Sequence, residues 1–293
     1  MPSLASIVIP AHNEERRIRG LLEALSDPAI SGIYDIYVVC NGCSDLTREV
    51  AEEYPGIIVV EIPDAGKHFA LNEGDRLAGD VYPRLYCDAD TLVAASCLKV
   101  LVDLLTSKDV KAAGPRVRYG VEKSAWAVKM YFRALDSPLM ISWLDQHLTG
   151  RGLYGASRAA RERFESFPPM FADDLFFDSQ FELSEKEIAS DCVVTIWVPV
   201  KLRALLSGEV RVREGNQQFI AAFQTSSVSD DPELGTPPRS RDRSVSRLKV
   251  LRDWWRDLRG RDVVPLTVYL GVNYTAKLLL FVKKKRGHEI RWR

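Results

Sequence analysis

Residues 6–14 read SIVIPAHNE and residues 36–45 read IYVVCNGCSD, and each is a β-branched apolar run of strand length that ends in a burst of small and polar residues. The same cadence returns at Ile57 to Ile62 (IIVVEI) and at Leu85 to Asp90 (LYCDAD). Between these runs, Glu14 to Leu25, Leu46 to Tyr54 and His68 to Ala78 carry apolar residues at the spacing of one helical face. Strand and helix in alternation predict an α/β fold with a mostly parallel central sheet flanked by helices on both faces. Ligands of such sheets sit in the crevice beyond the strand C-termini. Pro10, His12, Glu14, Asn41, Asp45, Asp88 and Asp90 therefore fall on one rim, with Lys67 at the start of the third helix.

The 293 residues contain 40 Lys+Arg against 40 Asp+Glu, with 46% hydrophobic and 27% charged, which excludes a disordered, collagenous or disulfide-scaffold chain. Five cysteines at 40, 43, 87, 97 and 192 are odd in number and scattered, so reduced thiols are expected. Cys40-x-x-Cys43 has redox or zinc spacing, but a second pair is missing from the sequence. The first residues lack a basic region followed by a long apolar run, and a cytoplasmic protein is the expectation.

The zero net charge is a sum of two opposite parts. Arg239 to Arg293 hold 16 basic and 5 acidic residues, net +11, and residues 1–238 are correspondingly −11. The organisation read from these shifts is a body domain at 1–225, in two parts at 1–110 and 111–225. A Pro/Gly-rich linker follows at 226–246, and a basic amphipathic helical tail at 247–293. Within the domain, Leu98 to Leu105 and Ala125 to Leu135 read as further helices and Asp191 to Val198 as a strand.

In the tail, Leu248, Leu251, Trp254, Trp255 and Leu258 recur at helical spacing beside Arg247, Lys249, Arg252 and Arg256. Pro265 to Val282 adds 18 mostly apolar residues before the basic run Lys283 to Arg286. As a helix that stretch measures about 27 Å, at the threshold of a membrane span, but both of its flanks are basic. Two readings stand side by side: helices lying on a membrane surface, and helices packed on the body. Interleaved Trp and Leu fit a lipid interface better than a nucleic acid, so no nucleic-acid partner is expected.

Two carboxylates at the exit of a buried strand, Asp88 and Asp90, are expected to point the same way from the strand. They are costly unless a cation is bound, and Mg²⁺ or Mn²⁺ bridging the phosphates of a nucleotide is the economical partner. Asp173-Asp174 is a second acidic pair; like charges side by side raise one pKa, as a general base requires. An isolated Asp-x-Asp or Asp-Asp is often no more than a helix cap, so the weight lies in their order along the chain.

The motifs IVIPAHNEERRI, VVCNGCSDLT, GKHFALNEG, YCDADT, GLYGASR and FADDLFF, in this order, resemble the family 2 glycosyltransferases of the GT-A fold. The resemblance implies a Rossmann-like nucleotide-binding sheet and an inverting transfer of a sugar from a UDP, GDP or dTDP sugar to a hydroxyl acceptor. It implies that Pro10, His12 and Glu14 line the base and ribose pocket, that Asp45 lies in the nucleotide-holding turn, and that Asn41 stands where many members have an Asp at the nucleobase. It likewise places Lys67 near the base and diphosphate, Asp88 at the nucleoside and, with Asp90, at the Mg²⁺ or Mn²⁺ cofactor. Asp174 becomes the general base with Asp173 its neighbour, and Arg213 or Gln217 approaches the donor phosphates. The glycines of Gly152-Leu153-Tyr154-Gly155 either let backbone approach a substrate or form a simple bulge.

Together with the tail, this gives an expected role in glycan or polysaccharide biosynthesis. The expected acceptor is a lipid-linked glycan, met by a peripheral protein at the inner face of the cytoplasmic membrane. Two alternatives remain: a sugar-nucleotide nucleotidyltransferase, which would need a Gly-rich basic loop after the first strand, and a catalytically silent nucleotide-sugar-binding scaffold, which would be favoured by loss of the acidic pairs.

Overall fold

The computed structural model describes residues 3–28, 30, 32–107, 109–223 and 260–287. The apolar runs fold into β1 (Ala5–Ala11), β2 (Tyr34–Asn41), β3 (Ile57–Ile62) and β4 (Arg84–Cys87), joined by α1 (Ile18–Leu25), α2 (Thr47–Glu52) and α3 (Lys67–Ala78). β1 is buried at every position, as a central parallel strand must be. It pairs in parallel with β2, Ile7 against Ile36 and Pro10 against Val39, and with β4 on its other side. β3 extends the parallel set beyond β2.

The chain continues through β5 (Thr91–Leu92), α4 (Ala95–Thr106), β6 (Ala112–Gly120), α5 (Trp126–Leu135), α6 (Pro138–Leu144), β7 (Leu153–Ala156) and α7 (Arg158–Arg161). It ends with α8 (Asp173–Ser179), β8 (Lys186–Trp197), α9 (Leu202–Phe223) and α10 (Gly260–Lys285). One sheet of eight strands results, in the order β3-β2-β1-β4-β7-β6-β8-β5. β7 runs antiparallel to β4 and β6, so the sheet is parallel in its first half and mixed in its second. β6 escaped the sequence reading because Gly114 and Pro115 interrupt it; the register to β8 shifts between Pro115 and Arg116. α9 escaped because Arg213 and Gln217, expected at the donor phosphates, lie in the polar middle of a 22-residue helix.

Strand alternation distributes the core between the two faces. Ile7, Ile9, Leu85 and Leu153 pack on one side with Leu22 and Leu98. Val8, Tyr86 and Tyr154 pack on the other with Leu71, Phe176 and Phe177. Leu266, Tyr269 and Val272 of α10 join Val128 and Tyr131 of α5 in a third cluster, and Ala276 and Leu280 continue the same stripe against α9. α10 thus packs on the body through one face. Its other face leaves Tyr274 71%, Leu278 52% and Phe281 64% exposed. The expected linker and the amphipathic segment up to residue 259 lie outside the described residues.

Two expectations are corrected. Cys97 of α4 and Cys192 of β8 are joined as a disulfide rather than held as thiols; a pairing across 95 residues depends on α4 lying against β8, which spacing alone does not reveal. Gly152 and Gly155 serve packing within the sheet. A Cβ on Gly152 would stand 2.2 Å from Thr91 Oγ1 at a φ of +67°, and one on Gly155 would stand 2.4 Å from Leu85 Cδ2.

Gly152→Ala therefore combines a clash with left-handed backbone and is expected to destabilise the fold by about 2 kcal/mol or more. Gly20→Ala in α1, where a Cβ meets nothing within 4 Å, is expected to stabilise by about 0.5–1 kcal/mol. Urea unfolding at a common m-value checks both, and a shift of the same sign for the two variants contradicts the assignment.

Candidate active site

The turns after β1 and β2 are stitched to each other. Asn13 adopts left-handed backbone with φ 55°, which asparagine tolerates, and its Oδ1 accepts hydrogen bonds from Ser44 N at 2.8 Å and Ser44 Oγ at 3.2 Å. His12 Nδ1 lies 2.6 Å from Asn41 O, so that nitrogen carries the proton and Nε2 is left to accept from Asn13 Nδ2. Asp45 accepts from Thr47 N at 3.1 Å and Glu15 N at 3.2 Å, while Thr47 Oγ1 accepts from Glu14 N at 2.8 Å. Pro10 is buried in β1. Asn41 is 1% exposed, and its Nδ2 has no hydrogen-bond partner, which leaves a buried donor facing the same turn.

Asp88 and Asp90 do not lie on a strand as expected. β4 stops at Cys87, and Thr91 N donates to Asp88 O at 3.0 Å to close a turn. The turn nevertheless gathers the carboxylates with Glu14. Burial first, then the charge of Asp88, push the Asp90 carboxyl up to about 6, and burial followed by Asp90 pushes Glu14 up to about 7. Arg17 answers part of this charge, 3.4 Å from Asp90 and 4.0 Å from Glu14. Among the described residues, no three His, Cys, Asp or Glu side chains are grouped so as to hold a metal ion by themselves.

Lys67 opens α3 and reaches two carboxylates, Asp88 at 2.7 Å and Asp173 at 2.8 Å. Burial works against its charge, but Asp173 and Asp88 outweigh it and hold the ammonium protonated. Asp173, 3% exposed, also accepts from Tyr154 Oη at 2.8 Å. The next residue turns elsewhere: Asp174 Oδ2 accepts from Gly150 N at 2.7 Å, on the wall of a cavity of about 570 Å³. Burial and then Asp173 push the Asp174 carboxyl up to about 6.

The structure thus gathers Glu14, Lys67, Asp88, Asp90 and Asp173 at one crevice, with Pro10 and Asn41 at the ends of β1 and β2, His12 and Asp45 in the turns that follow, and Asp174 on the cavity side. Arg213 is not brought to them. It donates to Asn273 Oδ1 and stands 4.0 Å from Glu209, and Gln217 accepts from Lys284 at 2.7 Å, so both belong to the α9–α10 contact. Tyr154, Arg17 and Thr47 join the cluster without having been singled out. Each lies within a motif quoted above, but only the folded turns reveal its partner.

These contacts can be set beside known proteins. The model of the family described as Glycosyl transferase family 2 matches residues 6–158. Among solved structures, the mannosyltransferase PcManGT from Pyrobaculum calidifontis, in complex with GDP-Man and Mn²⁺, superposes with a TM-score of 0.59 at 18% identity, over 97% of this chain and 82% of that one. Glucosyl-3-phosphoglycerate synthase from Mycobacterium tuberculosis, in complex with phosphoglyceric acid, gives 0.55 at 21% identity over 81% and 90% of the two chains. The same synthase with Mn²⁺, uridine diphosphate and glucosyl-3-phosphoglycerate gives 0.53 at 24% identity over 75% and 80%. No curated protein matches in sequence. The structural likenesses show a shared GT-A fold, and the family match takes in just over half of the chain. The chain belongs to glycosyl transferase family 2 and is a glycosyltransferase.

Proposed function

We propose that the protein is an inverting, divalent-metal-dependent glycosyltransferase in which Asp174 is the general base. The observation that carries this reading is the divergence of two consecutive aspartates: Asp173 is bound to Lys67 in the crevice, while Asp174 faces the cavity with its carboxyl raised to about 6. A base displaced from the donor crevice suits attack on the face opposite the leaving group. Asp174 takes the acceptor O–H proton as the acceptor oxygen bonds to the sugar's anomeric carbon. The bond from that carbon to the diphosphate breaks, and the nucleoside diphosphate leaves with the electron pair.

Asn41 Nδ2, the unpartnered buried donor, fits an acceptor atom of the nucleobase, and His12, Glu14 and Pro10 line the same pocket. Lys67 and Asp88 flank the diphosphate and nucleoside. The carboxylates of Asp90 and Asp88, short of positive charge, fit a cation whose remaining ligands come from the nucleotide phosphates, as Mg²⁺ and Mn²⁺ accept. Such an ion supplies neutralisation of charge on the departing diphosphate. The complexes of the two solved relatives with GDP-Man and Mn²⁺ and with uridine diphosphate and Mn²⁺ support this choice of ligands.

A cytoplasmic enzyme working at a membrane surface fits the outer face of α10. Tyr274, Leu278 and Phe281 are exposed there, next to exposed Lys283, Lys284, Lys285 and Arg286.

A thermal-shift screen with UDP-, GDP- and dTDP-sugars should find one nucleotide class that stabilises the protein in the presence of Mn²⁺. Asp90→Asn should remove the metal-dependent part of that shift, and an unchanged shift would withdraw Asp90 from the metal. Asp174→Asn should keep donor binding and lower kcat by about 10²–10⁴. Because the base works deprotonated, kcat should fall as pH drops below about 6, and the variant should lose that limb. In flotation assays, the full chain should rise with anionic vesicles, and replacing Lys283, Lys285 and Arg286 by Ser should leave it at the bottom of the gradient. Equal flotation of both proteins rules out the surface role of α10.

A further inference from the structure

The cavity of about 570 Å³ beside Asp174 has the size of a small-molecule pocket and a mixed parentage. Tyr119 of β6, Tyr131 of α5, Trp143 of α6, Phe171 and Tyr269 of α10 supply aromatic wall. Tyr131 and Tyr269 stack with centroids 5.2 Å apart. The wall from α8, α9 and α10 lies beyond residues 6–158, the stretch matched by the family model.

Three polar groups on this wall, Tyr131, Asn273 and Asp174, already have partners. Tyr131 Oη donates to Glu209 at 2.7 Å. Asn273 donates to Tyr269 O at 2.8 Å and accepts from Arg213. With aromatic rings beside Leu135, Met140, Leu144 and Val212, most of such a surface is apolar and suits a carbon chain better than a second sugar ring. Its charges are also of one sign. Asp174 and Glu209 both line the cavity, and no lysine or arginine lines it among the described residues. A phosphate or carboxylate placed there would meet two carboxylates and, on the described wall, no lysine or arginine.

We propose that this cavity holds the alkyl or aryl arm of a neutral hydroxyl acceptor whose reacting hydroxyl sits at Asp174, with Tyr269 and Asn273 of α10 as specificity-determining wall. The assignment rests on the role given to Asp174 above and deepens it by naming the acceptor's chemistry. The helix then serves twice: its inner face shapes the acceptor pocket, and its outer face is the apolar surface beside the basic run.

The test is calorimetric titration of the full chain without donor, so it does not depend on turnover. n-Octyl β-D-glucopyranoside, kept below its micelle concentration, should bind on the order of a hundredfold more tightly than methyl β-D-glucopyranoside, as burial of several methylenes requires. Glycerol 3-phosphate should bind more weakly than the octyl glucoside. Val212, at the cavity rim and 51% exposed, can be enlarged without disturbing the core. Val212→Trp should weaken octyl binding at least about tenfold while leaving the melting temperature unchanged, and Val212→Leu should retain it. Asn216→Trp blocks the same space from a second position. Equal affinity for the methyl and octyl glucosides, tightest binding of glycerol 3-phosphate, or octyl binding unaltered in both Trp variants overturns the proposal. Failure of Asp174 as base would appear in the pH profile of transfer and not in these titrations, so the two claims fail separately.

Discussion

One buried ammonium organises this molecule. Lys67 Nζ lies 2.7 Å from Asp88 and 2.8 Å from Asp173, and its side chain is only 13% exposed. Burying a charge costs several kcal/mol unless its partners are well placed, so this contact fixes the start of α3, the turn after β4 and the first turn of α8 with respect to one another. These three segments come from both halves of the chain. Tyr154 of β7 adds a fourth, through its hydrogen bond to Asp173. The same contact leaves the crevice short of positive charge. Two carboxylates share one ammonium while Asp90 and Glu14 stand nearby, and burial first, then the neighbouring carboxylates, push both of their carboxyls up despite Arg17.

What could be read in the sequence follows from how local each determinant is. β1 to β4 and their helices were legible because β-branched runs and helical apolar spacing are short-range patterns, and the rim residues follow once a parallel sheet is granted. β6 was not legible, since its Gly114 and Pro115 argue against a strand and only pairing with β8 overrides them. The argument from strand alternation does not reach Asp88 and Asp90, because β4 stops at Cys87 and both lie in a turn closed by Thr91 N. Arg213 was drawn toward the donor by its place in the order of motifs. In the fold it is a residue of α9 held by Asn273, a partner supplied from beyond residue 260 that no local pattern announces. The Cys97–Cys192 pair is long-range in the same sense, set by α4 lying across β8.

Charge arithmetic behaves similarly. The −11 of residues 1–238 and the +11 of the remainder were visible at once, but their meaning depends on where the charges settle. Most of the acidic excess is solvated surface. A buried part of it gathers around Lys67, where Asp88 and Asp173 bind the ammonium and Asp90 and Asp174 stand on either side. On the basic side, Lys284 is spent on Glu214 at 2.8 Å and on Gln217, which leaves the neighbouring Lys283, Lys285 and Arg286 exposed at the end of α10.

Helical geometry explains how one dipeptide can serve two spaces. Consecutive residues of an α-helix diverge by about 100° around its axis. Asp173 and Asp174, the first two residues of α8, therefore cannot face the same cavity. The buried partner Lys67 decides which of them turns into the crevice, and Gly150 N receives the other. An inverting transfer asks for this separation, since the group that accepts the acceptor's proton must stand away from the departing diphosphate. Lengthening the Asp174 side chain by one methylene, as in Asp174→Glu, would keep the charge while moving the carboxylate off the Gly150 amide. Its loss of rate without loss of donor binding would separate the need for a base from the need for a base at this position.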